Sequence, residues 1–435
     1  MTTVTVDQAK LVLNSFAALF QNNLVSTNLV TWRKFDGEMN DRNGLTVVEQ
    51  VTPDYYTEWT KSGVKDLSGG VQDTHFGSEQ YSLTQTLSSS MGWGDFQKIK
   101  SIGDARESQA LRKAAIRLAT DVDSYIMRYA ALASNNWVGN ANGQNAVSTF
   151  ADMADAVVRL KEEGVEDSFT AVLSYQDWKA LGNDVVGNPT SMMDIAGGIY
   201  RQGFSGNIAG IPTIFTQQLP AVQVGDRVAS ATSVTDYATG DFDNDYKDVA
   251  ISTAPGKYKS GKLNLKGQAG AKTLKDGEVF TIAGVYAWDP RAKKQLHHLQ
   301  QFRVIGDHTA AAGKFSNVEY FPAVITSGPH KTVVNTNGGG STWDGLAVTH
   351  LGVASSVVEP RFLANKDAIV INTADLIMPA SDTAQRQSLT KVPLSVRMWR
   401  ASEFDTGEHK IRFDVALEAN VMADGRERII RINGS

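Results

Sequence analysis

Residues 104–133, DARESQALRKAAIRLATDVDSYIMRYAALA, constrain this chain more than any other stretch. Leu111, Ala115, Leu118, Val122, Ile126, Tyr129 and Leu132 recur at steps of three and four, which sets them on one face of an α-helix. Alanine is frequent and Gly and Pro are absent, so local propensity agrees with the periodicity. Asp104 is placed to cap the N-terminus, and Glu107 three residues on completes a capping-box spacing. At 1.5 Å per residue the rod is about 45 Å long. Its stripe includes Ala115 and Ala119, too small for a self-sufficient zipper. A single long helix between a polar, aromatic-dotted arm and mixed α/β sequence reads as a spine to which other parts attach.

The whole chain, 435 residues, has room for about two to four domains. Hydrophobic content of 42% and charged content of 20% are those of an ordinary soluble protein. A net charge of −5 with no long basic run argues against electrostatically driven nucleic-acid binding. With no cysteine, disulfides, thiolate nucleophiles and cysteine metal sites are excluded. The N-terminus lacks the basic region and cleavage site of a secretory leader, and no window has the apolar length of a membrane span. Cytoplasmic synthesis is the expectation.

In chain order, residues 6–21 fit an amphipathic helix with Leu11, Val12, Phe16, Leu19 and Phe20 on one side. That face packs on its own chain or on a neighbour. Residues 45–51 and 78–88 read as strands. The long connection between them is poor in aliphatics but carries Tyr55, Tyr56, Trp59 and Phe76, and Trp93 follows. Aromatics set in a polar arm are what protein–protein contacts use. Residues 149–163 form a second amphipathic helix, 169–173 a buried strand, and 174–182 a short helix capped by Ser174 and stopped at Gly182. Past residue 224 the composition turns polar, then several short β runs follow (KLNLKG, GEVFTIAGVYAW, LQQFRVIG, VEYFPAVI), ending in the flexible NTNGGGS. Residues 342–359 resume a helical pattern and 366–378 a strand. In IRFDVALEANV, Ile411, Phe413, Val415, Leu417 and Val421 share one face, with Arg412, Asp414, Glu418 and Asn420 on the other, predicting a half-buried strand. ADGR then makes a hairpin and ERIIRI returns beside it.

No motif carries chemistry. Gly256 to Gly261-Lys262 has phosphate-loop spacing, but Leu263 stands where Ser or Thr is needed and no helix follows. Asp241, Asp243 and Asp245 begin like a calcium loop, but Tyr246 replaces its glycine and Ser252 its closing glutamate. That acidic loop is solvated or pairs with a basic patch on a neighbour. His297 and His298 are adjacent without a second ligand pair at helical spacing, so no metal or cofactor is expected. Arg106, Lys113 and Arg117 share a face of the spine, with Asp121 one turn from Arg117; this is a solvated, salt-bridged face or a binding stripe.

The order of parts resembles the major capsid (coat) proteins of tailed bacteriophages, with the Hong Kong 97-like fold. The coat proteins of short-tailed, P-twenty-two-type phages, which carry an inserted domain at this place, are the nearer likeness. TVVEQVTPDYYTEW (46–59) resembles the entry to the extended loop, RKAAIRLATDVD (112–123) the middle of the spine helix, and IYRQGFSGNIAGIPTIFTQQLP (199–220), with YQDWKALG before it, the peripheral segment leading to the insertion. LKDGEVFTIAGVYAWDPRAKKQLHHLQQFRVI (274–305) resembles the inserted β-barrel, and the loop at Asp241, Asp243 and Asp245 falls where the family joins neighbouring capsomers. The resemblance implies an α+β fold divided into an N-terminal arm (1–44), extended loop (45–94), spine and connection (95–148), peripheral and axial part (149–223), inserted β domain (224–341) and axial remainder (342–435). It implies hexamers and pentamers closing into an icosahedral shell, a scaffolding protein, a portal, enclosed double-stranded DNA and no enzymatic activity. Tyr55, Tyr56, Trp59, Phe76, Asp241, Asp243, Asp245, Arg106, Lys113 and Arg117 are the candidate inter-subunit contacts. A non-viral encapsulin-like shell and a β-rich glycan-binding surface protein are the competing readings.

Overall fold

The computed structural model describes residues 6–38, 46–51, 77–94, 103–165, 168–187, 207–208, 210–228, 233–235, 260–268, 270–289, 292–324, 331–336, 345–378, 384–403, 408–421 and 428–434. The fold is α+β. Helices α1 (Val6–Asn23), α2 (Gly103–Ala133), α3 (Phe150–Glu162) and α4 (Tyr175–Gly187) stand among many strands. The chain divides into two compact units.

The first unit gathers Met1–Val47, Tyr81–Ala130 and Lys366–Met422. α2 is the expected spine. It begins one residue early, so Asp104 lies inside the first turn and not at its cap. Leu111, Ala115, Leu118, Ala119, Val122, Ile126, Met127 and Ala130 are its buried side, while Tyr129 is only half-buried. α1 packs on its own chain beside the strand Ala384–Ser388. Its buried face is Leu13, Phe16, Ala17 and Phe20; Leu11, expected there, is 65% exposed. The Phe16 ring lies flat on Phe413, centroids 3.7 Å apart.

The sheet of this unit is built on the 14-residue strand Glu408–Val421. Ser395–Glu403 and Thr86–Gly94 flank its first half, and Ile369–Asp375 pairs with its second, all antiparallel. Thr31–Glu38 joins Ile369–Asp375 in parallel, and Ala384–Ser388 closes the other edge. The stretch 78–88 is therefore not one strand. Gly77–Ser82 pairs with Thr46–Val51, whereas Thr86–Gly94 belongs to this sheet, and buried Leu83 sits between them. On the face expected to be solvated, Arg412 is exposed and Glu418 partly so, but Asp414 is 1% exposed and Asn420 6%; Asp414 is buried because Arg397 of the neighbouring strand pairs with it.

The second unit gathers Val48–Gln80, Ala131–Asn365 and Ala423–Ser435. One sheet runs in the order Asn136–Val138, Ile429–Ile432, Arg361–Asn365, Phe169–Leu173, Ile211–Phe215, Asn207–Ile208. Its core joins Leu173, Leu363, Ile430 and Ile432 to Met153, Ala156 and Leu160 of α3. α3 starts as expected: Thr149 Oγ1 accepts from Asp152 N–H, and the Asp152 carboxylate accepts in return from Thr149 N–H. α4 runs past Gly182 to Gly187, since one interior glycine costs only about 1 kcal/mol. Among the described residues the expected terminal hairpin does not form. Ile429–Ile432, buried at all four positions, pairs with Arg361–Asn365 and Asn136–Val138 instead of Glu408–Val421. The ADGR turn lies outside the described residues.

The other sheet runs Ser233–Thr235, Gly261–Lys266, Lys314–Phe321, Lys294–Ile305, Val279–Asp289, Val333–Asn335, with Val348–Leu351 also on Val279–Asp289. These are the expected β runs. Leu265, Phe280, Ile282, Phe302, Val304, Phe315 and Tyr320 form their core. Lys262 lies in the strand Gly261–Lys266 and not in a loop that opens a helix. Residues 342–359 are not helical where described: Gly345 and Gly352 take φ of 82° and 91°, which a helix excludes, and Val348–Leu351 is a strand.

Candidate functional site

The predicted contact residues fall into two groups. Tyr55, Tyr56, Trp59, Phe76, Asp241, Asp243 and Asp245 lie outside the described residues, and so does the side chain of Arg106. Lys113 and Arg117 are described and exposed on α2, one turn apart. Arg117 Nε pairs with Asp121 at 3.1 Å, but its side chain is 75% exposed, so the pair contributes under about 1 kcal/mol. Exposed Ile116 lies beside them. In the single chain this face is exposed and charged, with a small apolar spot at Ile116.

The buried face of the spine is fastened by charge as well as by packing. Asp123 is fully buried and its carboxylate accepts from Val25 N–H at 2.9 Å and Ser26 N–H at 3.0 Å. Burial pushes its carboxyl up, against the lowering pull of these donors. Tyr125 Oη accepts from Ala419 N–H at 3.3 Å, and burial raises this phenol to about 12.

The C-terminal end of α2 meets two arginines that no local pattern announced. A helix leaves its last carbonyls without intrahelical donors, and cations suit that end of the dipole. Arg303 Nε donates to the Leu132 carbonyl, and its Nη2 holds Asp276 at 3.1 Å. Arg431 Nη2 donates to the Ser134 carbonyl at 3.3 Å and the Gly277 carbonyl at 2.6 Å. Burial, then the nearby Arg303, lowers the Arg431 guanidinium to about 9. Gly277 (φ 81°) must be glycine, because a Cβ there would lie 2.7 Å from Leu132 Cδ2. Arg227 joins the same turn through Glu278, at 2.8 Å.

Two further knots hold strands. Asp177, at the start of α4, accepts from Val147 N–H (2.9 Å), Ser174 N–H (2.7 Å) and Arg361 Nε (2.9 Å). Asp414 binds Arg397 Nη2 at 2.6 Å, Arg412 Nε at 2.9 Å and Ser88 Oγ at 2.7 Å, with both guanidinium groups over Trp399. Each of these buried charges has its partner, as burial demands.

One cluster stands apart. At the end of α3, Glu162 approaches His297 and His298 on the strand Lys294–Ile305. His298 stays unprotonated at neutral pH, its imidazole lowered to about 3 by burial, then by Arg159 and His297. Sequence spacing concealed this convergence, since Glu162 belongs to a different element.

Among the described residues, no helix is long and apolar enough to cross a membrane. No curated protein sequence matches the chain. Among solved structures, it is similar to a chain of Mycobacterium phage Che8 (11% identity, 90% of this chain and 86% of that one, TM-score 0.43). It is similar also to the capsid of Ralstonia phage GP4 (8%, 94% and 86%, TM-score 0.44) and to an encapsulin of Synechococcus elongatus (9%, 94% and 86%, TM-score 0.35). At these TM-scores the likenesses carry no weight in the assignment. The weight lies in a family model described as P22 coat protein (gene protein 5), which matches residues 90–424, from the strand before the spine to the end of the closing strand. The chain belongs to the P22 coat protein family: it is a major capsid protein, a virion component whose copies form an icosahedral shell.

Proposed function

We propose that this capsid protein assembles in the bacterial cytoplasm on an internal scaffolding protein, shares its shell with a portal, and encloses double-stranded DNA without reading its sequence. The family match over residues 90–424 is the observation that carries this reading. A net charge of −5 accords with it, because sequence-independent enclosure needs no strong phosphate-binding surface. The role is architectural, without catalysis or cofactor chemistry in the shell.

In this reading the extended loop of residues 45–94, up to the strand Thr86–Gly94 that stays in the subunit's own sheet, is laid over an adjacent subunit and anchored by Tyr55, Tyr56, Trp59 and Phe76. Residues 224–341 form an inserted β domain, and Asp241, Asp243 and Asp245 meet a basic surface of a neighbouring capsomer. Arg106, Lys113 and Arg117 offer one such surface. The sequence supports this: the loop has aromatic anchors but too few aliphatics for a core of its own.

Co-expression with a scaffolding protein, read by electron microscopy, is the direct test. Closed shells are expected from the intact chain. Trp59→Ala should cut shell yield sharply while shifting the subunit's melting temperature little, since one anchor aromatic contributes about 2–4 kcal/mol of association and recurs in every copy. Persistent monomer with scaffolding protein present would overturn the assembly reading. A large melting shift with normal shells would make Trp59 a core residue.

A further inference from the structure

We propose that Glu162, His297 and His298 form a binding site for a borderline divalent transition metal of the zinc, cobalt or nickel type. His297 Nδ1 lies 3.8 Å from Glu162 Oε1, and His298 Nδ1 lies 3.5 Å from Glu162 Oε2. One ligand atom from each of the three residues falls within 4.8 Å of the others. Two ligands held tetrahedrally at 2.0–2.1 Å from a metal are roughly 3.4 Å apart. The cluster needs only a small closure to reach that geometry. Two imidazoles and one carboxylate suit zinc, cobalt or nickel, whereas calcium and magnesium prefer oxygen alone.

The strand is built to allow this. Consecutive strand residues normally point to opposite faces, so His297 and His298 should not share a partner. Between the pairs Trp288↔Gln295 and Tyr286↔Leu299, one strand advances two residues and the other four. Leu296, His297 and His298 sit in that bulge. Bulges re-aim side chains in this way. Here the bulge turns both imidazoles toward one carboxylate.

The charges around the cluster leave Glu162 available. Arg159, which also faces His298, is held by Glu163 at 3.1 Å. Asp289 and Lys294 line the pocket beside Glu162 and His297 and oppose each other in charge. The side chain of His297 is 79% exposed, so water completes the coordination. The buried Nε2 of His298 has no hydrogen-bond partner among the described residues. Without that outer support, affinity is set below that of a fully braced structural site.

The test is titration of the full-length chain with Co2+, read by visible absorption, followed by displacement with Zn2+. The wild type should take up one equivalent in a tetrahedral-type spectrum that Zn2+ abolishes, and Zn2+ should raise its melting temperature. His297→Gln and Glu162→Gln should each weaken binding at least tenfold and lose the thermal shift. His308→Gln, outside the cluster, should bind as the wild type does. Because His297 is exposed, His297→Gln leaves the fold intact and is the decisive variant. Equal binding by the wild type and His297→Gln, or a wild type without the cobalt spectrum, overturns the proposal.

Discussion

Asp177→Ala tests whether the buried ionic knots of this capsid protein hold it together. Asp177 and Arg361 have side-chain exposures of 0% and 4%. The carboxylate accepts from two backbone N–H groups, those of Val147 and Ser174, as well as Ser174 Oγ and Arg361 Nε. Removing it strands a buried guanidinium and orphans two amides. Each orphaned amide alone costs about 1–3 kcal/mol. These terms share one cavity and do not add, so the loss of one partner of a buried pair, about 3–5 kcal/mol, is the better figure. The assay is urea unfolding of the dissociated subunit, followed by a signal from the sheet containing Arg361–Asn365. A midpoint shift equivalent to less than about 1 kcal/mol would refute the reasoning. The companion Asp177→Ala/Arg361→Met removes both charges and should recover part of the loss, because no buried charge is then left alone. If the double variant is as weak as the single one, the amides and not the guanidinium dominate.

Three other outcomes follow from the described residues. Phe16→Ala, which empties a fully buried site stacked on Phe413, should cost about 3–5 kcal/mol in subunit unfolding; a negligible effect would mean α1 does not dock on its own chain in solution. His350 is buried beside Phe280, neither ring nitrogen has a partner among the described residues, and burial, then Arg227, holds its imidazole well below the usual range. The folded-state value is depressed, so this contribution to stability is intact above pH about 6.5 and is lost as pH falls, at up to about 1.4 kcal/mol per pH unit; His350→Leu should flatten that slope in melts from pH 7 to 5, and an unchanged slope would clear His350. Gly277→Ala, blocked by Leu132 and its positive φ, should lower the melting temperature by several degrees, whereas wild-type melting would show that the turn relaxes.

Periodicity made the spine, α3 and the β runs after residue 260 legible, because burial repeats along them, whereas Phe169–Leu173 was legible as a short apolar run buried at every position. Partner choice was not legible. Ile429–Ile432 looks like the return arm of a hairpin, and nothing within ERIIRI says that its partners are Asn136–Val138 and Arg361–Asn365. The family resemblance was carried by the order of parts, which periodicity does record.

Polar side chains show where local reading fails, and for one reason. Alternation assigns Asp414 to the solvent face, since a carboxylate alone cannot be buried cheaply. Arg397, supplied by the neighbouring strand, reverses that balance, and no window around Asp414 contains it. The same holds for Asp123 with Val25 and Ser26, for Asp177 with Arg361, and for Arg431 with Gly277. Each of these groups meets a partner far away in sequence. Apolar burial can be satisfied by many registers, but a buried charge is satisfied only by its own partner at its own distance. The polar contacts therefore specify which distant segments meet, and the apolar periodicity specifies only that they are buried.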